Sequence, residues 1–340
     1  MILGCHLRTP RRLLRFVGAE RGSRVSQGGL YPTYVQMQYS EHASRGPRRV
    51  FERRHGLAEI VERGVGVLVE HRRVSPPHLA EQAKILVAEV EETNLDYKEK
   101  DARWAQWHTC GLCEQGYHGV VRCALGWACW KTYLGRPETD QVLLMAWNQL
   151  GRGLNEAKHH EDALSVREAE LSTLRRLGAS KQEMLVVQGN LANTYDLIGR
   201  HEEALEKYRD VYSKKSELYG EEDRSTFLSA HNYAACMLGL QRFQGAKALL
   251  HKTTPTAQRV LGESHDLTLN MRLHYARALY QHEDATLDDI REAATTLEET
   301  VRIARRVFGN AHPTAVTFGN SLLNAQAALR ARETPSPGSH

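Results

Sequence analysis

From about residue 140 to residue 330 the apolar positions follow helical spacing, and the pattern itself recurs. Leu150, Leu191, Tyr233 and Tyr275 each precede a small residue (Gly151, Ala192, Ala234, Ala276), at intervals of 41, 42 and 42 residues. A second small residue follows in every window, Ala163, Ala204, Ala246 and Ala293, and Gly178, Gly220, Gly262 and Gly309 close the windows 15, 16, 16 and 16 residues later. Five extra residues around 285–289 lengthen the fourth window. Each window predicts two helices. In the second they cover 183–198 and 202–219, joined by Gly199-Arg200 and ended by Gly220, a usual C-terminal glycine. The small residues let the two helices approach closely. One pair cannot bury its apolar face alone, but three or more stacked pairs make a continuous core. The pattern therefore predicts an all-α array over 140–331, with repeats near 141–182, 183–224, 225–266 and 267–313 and a capping helix over 314–331.

Upstream the pattern changes. Pro76-Pro77 marks a break, after which 78–94 reads as a helix with Leu79, Ala83, Leu86, Val87 and Val90 on one face. Helix and polar connector occupy 76–100, and a Cys-rich segment occupies 101–139. Residues 1–75 hold no persistent apolar period and are expected to be a disordered or targeting segment.

The repeat segment NLANTYDLIGRHEEALEKYRDVYSKKSELYGEE (190–222) and its three partners resemble the tetratricopeptide repeat, in the 42-residue form typical of kinesin light chains. The resemblance implies a right-handed superhelical solenoid of antiparallel helix pairs, with the first helix of each pair on a concave face that binds extended peptides or helices. In similar arrays, asparagines on the first helices grip the peptide backbone. The corresponding positions here are Gln149, Asn190, Asn232 and His274. One turn on lie Arg152, Asn193 and Arg277, which would favour an acidic ligand. The family's large residue in the second helix is present as Tyr208 and Leu250 but is Arg167 in the first repeat, which is expected to pack less well. The heptad coiled coil that joins kinesin light chains to a motor is not visible here, so the resemblance describes the repeat and not a transport role.

Charge divides the chain. The formal net charge is +4, yet residues 1–73 carry 14 arginines and 6 glutamates and no lysine or aspartate, leaving the remainder mildly acidic. Arg8, Arg11, Arg12 and Arg15 among Leu3, Leu7, Leu14 and Val17 have the composition of a mitochondrial or plastid transit peptide; the alternatives are a basic tail in a cytoplasmic protein or a misassigned start. No aromatic-basic motif points to nucleic acid, and no apolar run reaches membrane-spanning length.

Four of the six cysteines fall in CGLCEQGYHGVVRCALGWAC (110–129). A C-x2-C knuckle can turn two thiolates toward one structural zinc. The remaining ligands would come from His118, Cys123 and Cys129. Using all four cysteines needs a break near Gly126, because Cys123 and Cys129 lie about 240° apart on a continuous helix; the alternative set is Cys110, Cys113, His118 and Cys123. The segment distantly resembles small zinc fingers of the MYND type, but is shorter and lacks a second C-x2-C. A competing reading is buried, metal-free thiols packed with Trp127 and Trp130. A redox role would require a βαβ pattern, which is absent.

Enzyme signatures are missing: there is no Walker loop, G-x-S-x-G, H-E-x-x-H or Rossmann glycine motif. His159-His160-Glu161-Asp162 falls in the variable turn of the first repeat. The expected function is a scaffold that binds a protein or peptide, with no small-molecule substrate. The alternative is a regulatory or targeting subunit of an enzyme that contacts its partner through the Cys-rich segment.

Overall fold

The computed structural model describes residues 67–69, 72–74, 76–92, 97–111 and 116–333. The Arg-rich stretch 1–66 and Cys113 lie outside them. The chain is an all-α solenoid preceded by a short hairpin. The hairpin pairs β1 (Val67–Val69) antiparallel with β2 (Arg72–Val74), Val67 facing Val74 and Val69 facing Arg72. No ordered element was expected before Pro76. The two strands are three residues each, too short to register as a period, and their valines favour extended backbone.

The helices α1 (Pro76–Glu92) and α2 (Tyr97–Trp104) and a 3-10 turn (Ala105–Trp107) lead into α3 (Gly119–Tyr133). Four pairs follow: α4 (Gln141–Glu156) with α5 (His160–Arg176), α6 (Lys181–Leu197) with α7 (His201–Tyr219), α8 (Arg224–Gly239) with α9 (Phe243–Leu261), and α10 (Asp266–Tyr280) with α11 (Leu287–Phe308). The helix α12 (Pro313–Glu333) packs on α10 and α11. Local chemistry sets the ends. Asp140 caps α4, Asp223 caps α8, and Ser180 with Glu183 and Thr286 with Asp289 form capping boxes on α6 and α11. The second helices α7, α9 and α11 stop at Gly220, Gly262 and Gly309, whose φ values of 87, 97 and 88° suit glycine.

Every expected small residue of the second, third and fourth pairs is fully buried at the contact between helices: Ala192, Ala204, Ala234, Ala246, Ala276 and Ala293. They belong to one apolar cluster running from Leu164 to Ala325. A second cluster joins Trp104, Trp107, Cys123, Cys129 and Trp130 to Leu143, Leu150 and Leu154 of α4.

The first pair solves its packing differently. Arg167 stands where its counterparts are Tyr208 and Leu250, and it is buried to 1% exposure. Its Nη1 donates to Glu170 Oε2 at 2.8 Å, and its Nη2 donates to the backbone oxygen and Oδ1 of Asn148, both at 3.1 Å. Gly151 makes the room, since a Cβ there would lie 2.6 Å from Arg167 Nε. Burial pushes the Glu170 carboxyl up, against the opposing pull of the Arg167 charge. The site is therefore filled by a buried ion pair where the second and third pairs place Tyr208 and Leu250.

Glycine also joins α3 to α4. A Cβ at Gly126 would lie 2.5 Å from the Gln149 backbone oxygen, and one at Gly153 would lie 2.7 Å from that of Arg122. Here glycine serves close approach and does not break the helix: α3 runs unbroken through Gly126.

Two outcomes are expected in urea unfolding. Gly126→Ala should lower stability by about 1–3 kcal/mol through overpacking, whereas Gly239→Ala, with open space around its Cβ, should be neutral or raise stability by up to about 1 kcal/mol. Replacing Glu170 alone with Ala should cost about 3–5 kcal/mol by stranding the Arg167 charge, and the Arg167→Met/Glu170→Leu pair should recover most of it.

Candidate peptide-binding face

The first helices of successive pairs lie against one another. Asn190 Nδ2 on α6 donates to Asn148 Oδ1 on α4 at 3.4 Å. Cys236 Sγ on α8 lies 3.9 Å from Asp196 Oδ1 on α6. The His274 ring on α10 stacks on His231 of α8, with centroids 4.6 Å apart and planes 12° from parallel. On the opposite side the second helices are tied across pairs by exposed or half-buried ions, Arg242 with Glu202 and Lys247 with Asp289.

Four residues were expected to form a row at one repeat position, and the structure gives them different surroundings. Gln149 is buried: its Oε1 accepts from Arg122 Nη2 at 2.8 Å and its Nε2 lies 3.2 Å from His108 Nδ1. The segment carrying Arg122 and His108 thus occupies the place of a preceding repeat, and it seals this amide from any ligand. Asn190 is half-buried and committed to Asn148. Asn232 is half-buried, and its Oδ1 accepts from His231 Nδ1 at 3.1 Å. His274 is half-buried, and its Nδ1 has no hydrogen-bond partner among the described residues. Of the second row, Arg152 and Asn193 are exposed and Arg277 is half-buried. Neither arginine makes an ion pair among the described residues.

The register reasoning overlooked Asn148 and His231, each one residue before the expected row. Both touch the expected residue of the next pair, so the residue before the row faces forward along the array while the row faces back. The signal was present: Asn148, Gly189, His231 and Leu273 recur at the same spacing as the row itself.

The imidazole stack has an electrostatic consequence. Burial, the His231 ring and the Arg277 charge together pull His274 down to about 3, and burial lowers His231 against the pull of Asn232 and Asp266. Both rings are neutral at neutral pH.

The cysteine segment behaves as a core element. Cys123 and Cys129 are buried within the second apolar cluster. Burial pushes the Cys123 thiol up to about 11 and Cys129 higher still. The break near Gly126 that a four-cysteine site requires is absent. Cys110 is half-buried, and His118, whose side chain is 81% exposed, points toward Glu156 at 3.8 Å. Among the described residues no three of His, Cys, Asp and Glu gather as metal ligands, and Cys113, a member of both expected ligand sets, lies outside them.

In the last three pairs a fully buried alanine of the first helix and one of the second lie in the same apolar cluster. The fold is a solenoid of sequentially packed helix pairs, the architecture that the tetratricopeptide resemblance implies. No family model matches the chain, and no curated protein matches it. Solved structures similar to it include a putative kinesin light chain from Podosopora anserina with nearly identical TPR-like repeats, 22% identical over 56% of this chain and 88% of that one, with a TM-score of 0.48; a single-residue variant of the same protein has a TM-score of 0.49. BtubC (BKLC) from P. vanneervenii is 18% identical over 64% of this chain and 94% of that one, with a TM-score of 0.49. Among the described residues no helix is long and apolar enough to cross a membrane.

A histidine that resists protonation in the folded state makes stability rise with pH, with the loss on acidification running from the ordinary value near 6.5 down to the folded value. Taking the chain from pH 7 to pH 5 is expected to cost about 2 kcal/mol from His274 alone. The His274→Phe variant, which keeps a ring for the stack, should lose most of this pH dependence when urea midpoints are compared at the two pH values.

Proposed function

We propose that the chain is a protein-interaction scaffold whose first-helix face holds a segment of a partner protein. The observation that carries this reading is the seam of amides and imidazoles at one turn of successive first helices, Asn148 with Asn190 and Asn232 with His231 and His274, flanked a turn later by Arg152, Asn193 and Arg277. An extended backbone needs donors and acceptors at regular intervals, and asparagine supplies both. The two arginines, without an ion-pair partner among the described residues, favour a partner segment that carries acidic residues.

Two of the buried thiols give no support to a catalytic reading. The thiols of Cys123 and Cys236 are pushed up to about 11 and 12, by burial first and then by neighbouring carboxylates. They are protonated at neutral pH and poor nucleophiles.

The full chain, immobilised beside an Asn190→Ala/Asn232→Ala variant, tests the reading by quantitative pull-down. Partners held by the parent and lost from the variant, with the variant's thermal unfolding cooperative, are expected. An identical partner list for both proteins would move the binding surface off this face.

A further inference from the structure

The seam is interrupted at one junction. Asn190 meets Asn148 across the α4–α6 boundary, and His274 meets His231 across the α8–α10 boundary. At the α6–α8 boundary the residue equivalent to Asn148 and His231 is Gly189, which offers Asn232 no side chain. Among the described residues the Asn232 side chain bonds only its own neighbour His231, through Oδ1. Its Nδ2 donors have no partner among the described residues. A Cβ at Gly189 would make an ordinary van der Waals contact with Val211 Cγ1 at 3.9 Å and meet no other atom within 4 Å, so nothing there blocks a larger side chain.

This gap has an apolar border. One turn before Asn190 and Asn232 on their helices stand Val186 and Leu228, and Met145 holds the same position on α4. All three are exposed, at 45, 40 and 36%. Isolated exposed aliphatics are ordinary, but these three share one register position in three consecutive pairs, on the face that also carries the seam. In α10 the position is Asn270, so the apolar row ends there.

We infer, building on the reading above, that the Gly189–Asn232 gap grips the backbone of an extended partner segment whose aliphatic side chains, three residues apart, rest on Met145, Val186 and Leu228. The spacing comes from packing geometry. Helices in contact lie about 8–10 Å apart, and the polyproline II conformation advances about 3.1 Å per residue with three residues per turn. Every third side chain therefore returns to the same side of the segment, about 9 Å further on, one for each first helix. A β-strand would turn alternate side chains away. Polyproline II also leaves its carbonyls without internal hydrogen bonds, and one of them accepts from Asn232 Nδ2. Arg152 on α4 and Arg277 on α10 bracket the row, three helix steps apart, which places complementary acidic residues near the two ends of a segment of about ten residues.

The test uses the full chain and two fluorescein-labelled synthetic peptides of the same composition. The first has aspartate at both ends, leucine at every third position and proline between. In the second the leucines fall at alternate positions. Fluorescence anisotropy is expected to show the first binding at least about tenfold more tightly. Gly189→Asn, which fills the gap and replaces glycine with a better helix former, is expected to weaken that binding about tenfold or more with no loss of thermal midpoint. Equal affinity for the two peptides, no binding of either, or parental affinity in Gly189→Asn overturns the inference. The broader scaffold reading fails separately, when pull-down partners survive the Asn190→Ala/Asn232→Ala change; partners lost there but kept by Gly189→Asn leave the face in use and remove the gap as its grip.

Discussion

Close approach between helices governs this molecule. Each pair has an apolar stripe too broad to cover by itself, and stacking covers it only where two backbones come near enough for their flanking side chains to interdigitate. Small residues at the crossing points permit that. Ala192, Ala234 and Ala276 are fully buried on their first helices and let each pair close. Stacking brings Asn148 beside Asn190 and His231 beside His274, and the polar seam follows from it. A larger residue at any crossing would separate the pair and open the seam together with the core.

The repeating part of the fold was legible because its requirements recur. A small residue beside a large one, another small residue in the facing helix and a glycine at the end cannot arise four times in register without a common cause. The first pair shows where that legibility ends. Arg167 was expected to weaken its repeat, yet the absence of a side chain at Gly151 turns the same arginine into a buried anchor for Glu170 and Asn148. The two substitutions compensate, and reading either alone misleads.

The candidate site was legible in register and obscure in context. Gln149 occupies the same repeat position as Asn190 and Asn232, but it faces backward, and the element before it is not a repeat. Only the fold reveals that Arg122 and His108 take its amide. The cysteine segment was ambiguous for a related reason. Gly126 looks the same in a sequence whether it ends a helix or lets another backbone pass within contact distance, and Cys123 and Cys129 look the same whether they bind metal or fill an apolar core. The tight passage of α3 over Gln149 settles the glycine, and the two thiols lie buried in the apolar cluster.

The two ends of the array differ in how they are held. At the first end, α3 and α4 cross at glycines and share a tryptophan-rich cluster. At the other end, α12 rests on α10 and α11 with Leu323 and Val316 exposed and few buried side chains of its own. In a stack where each element is stabilised only by its neighbours, opening begins where one neighbour is missing. Amide hydrogen exchange in such an array is expected to be polarised, with protection lost first from α12 and last at the α3–α4 junction.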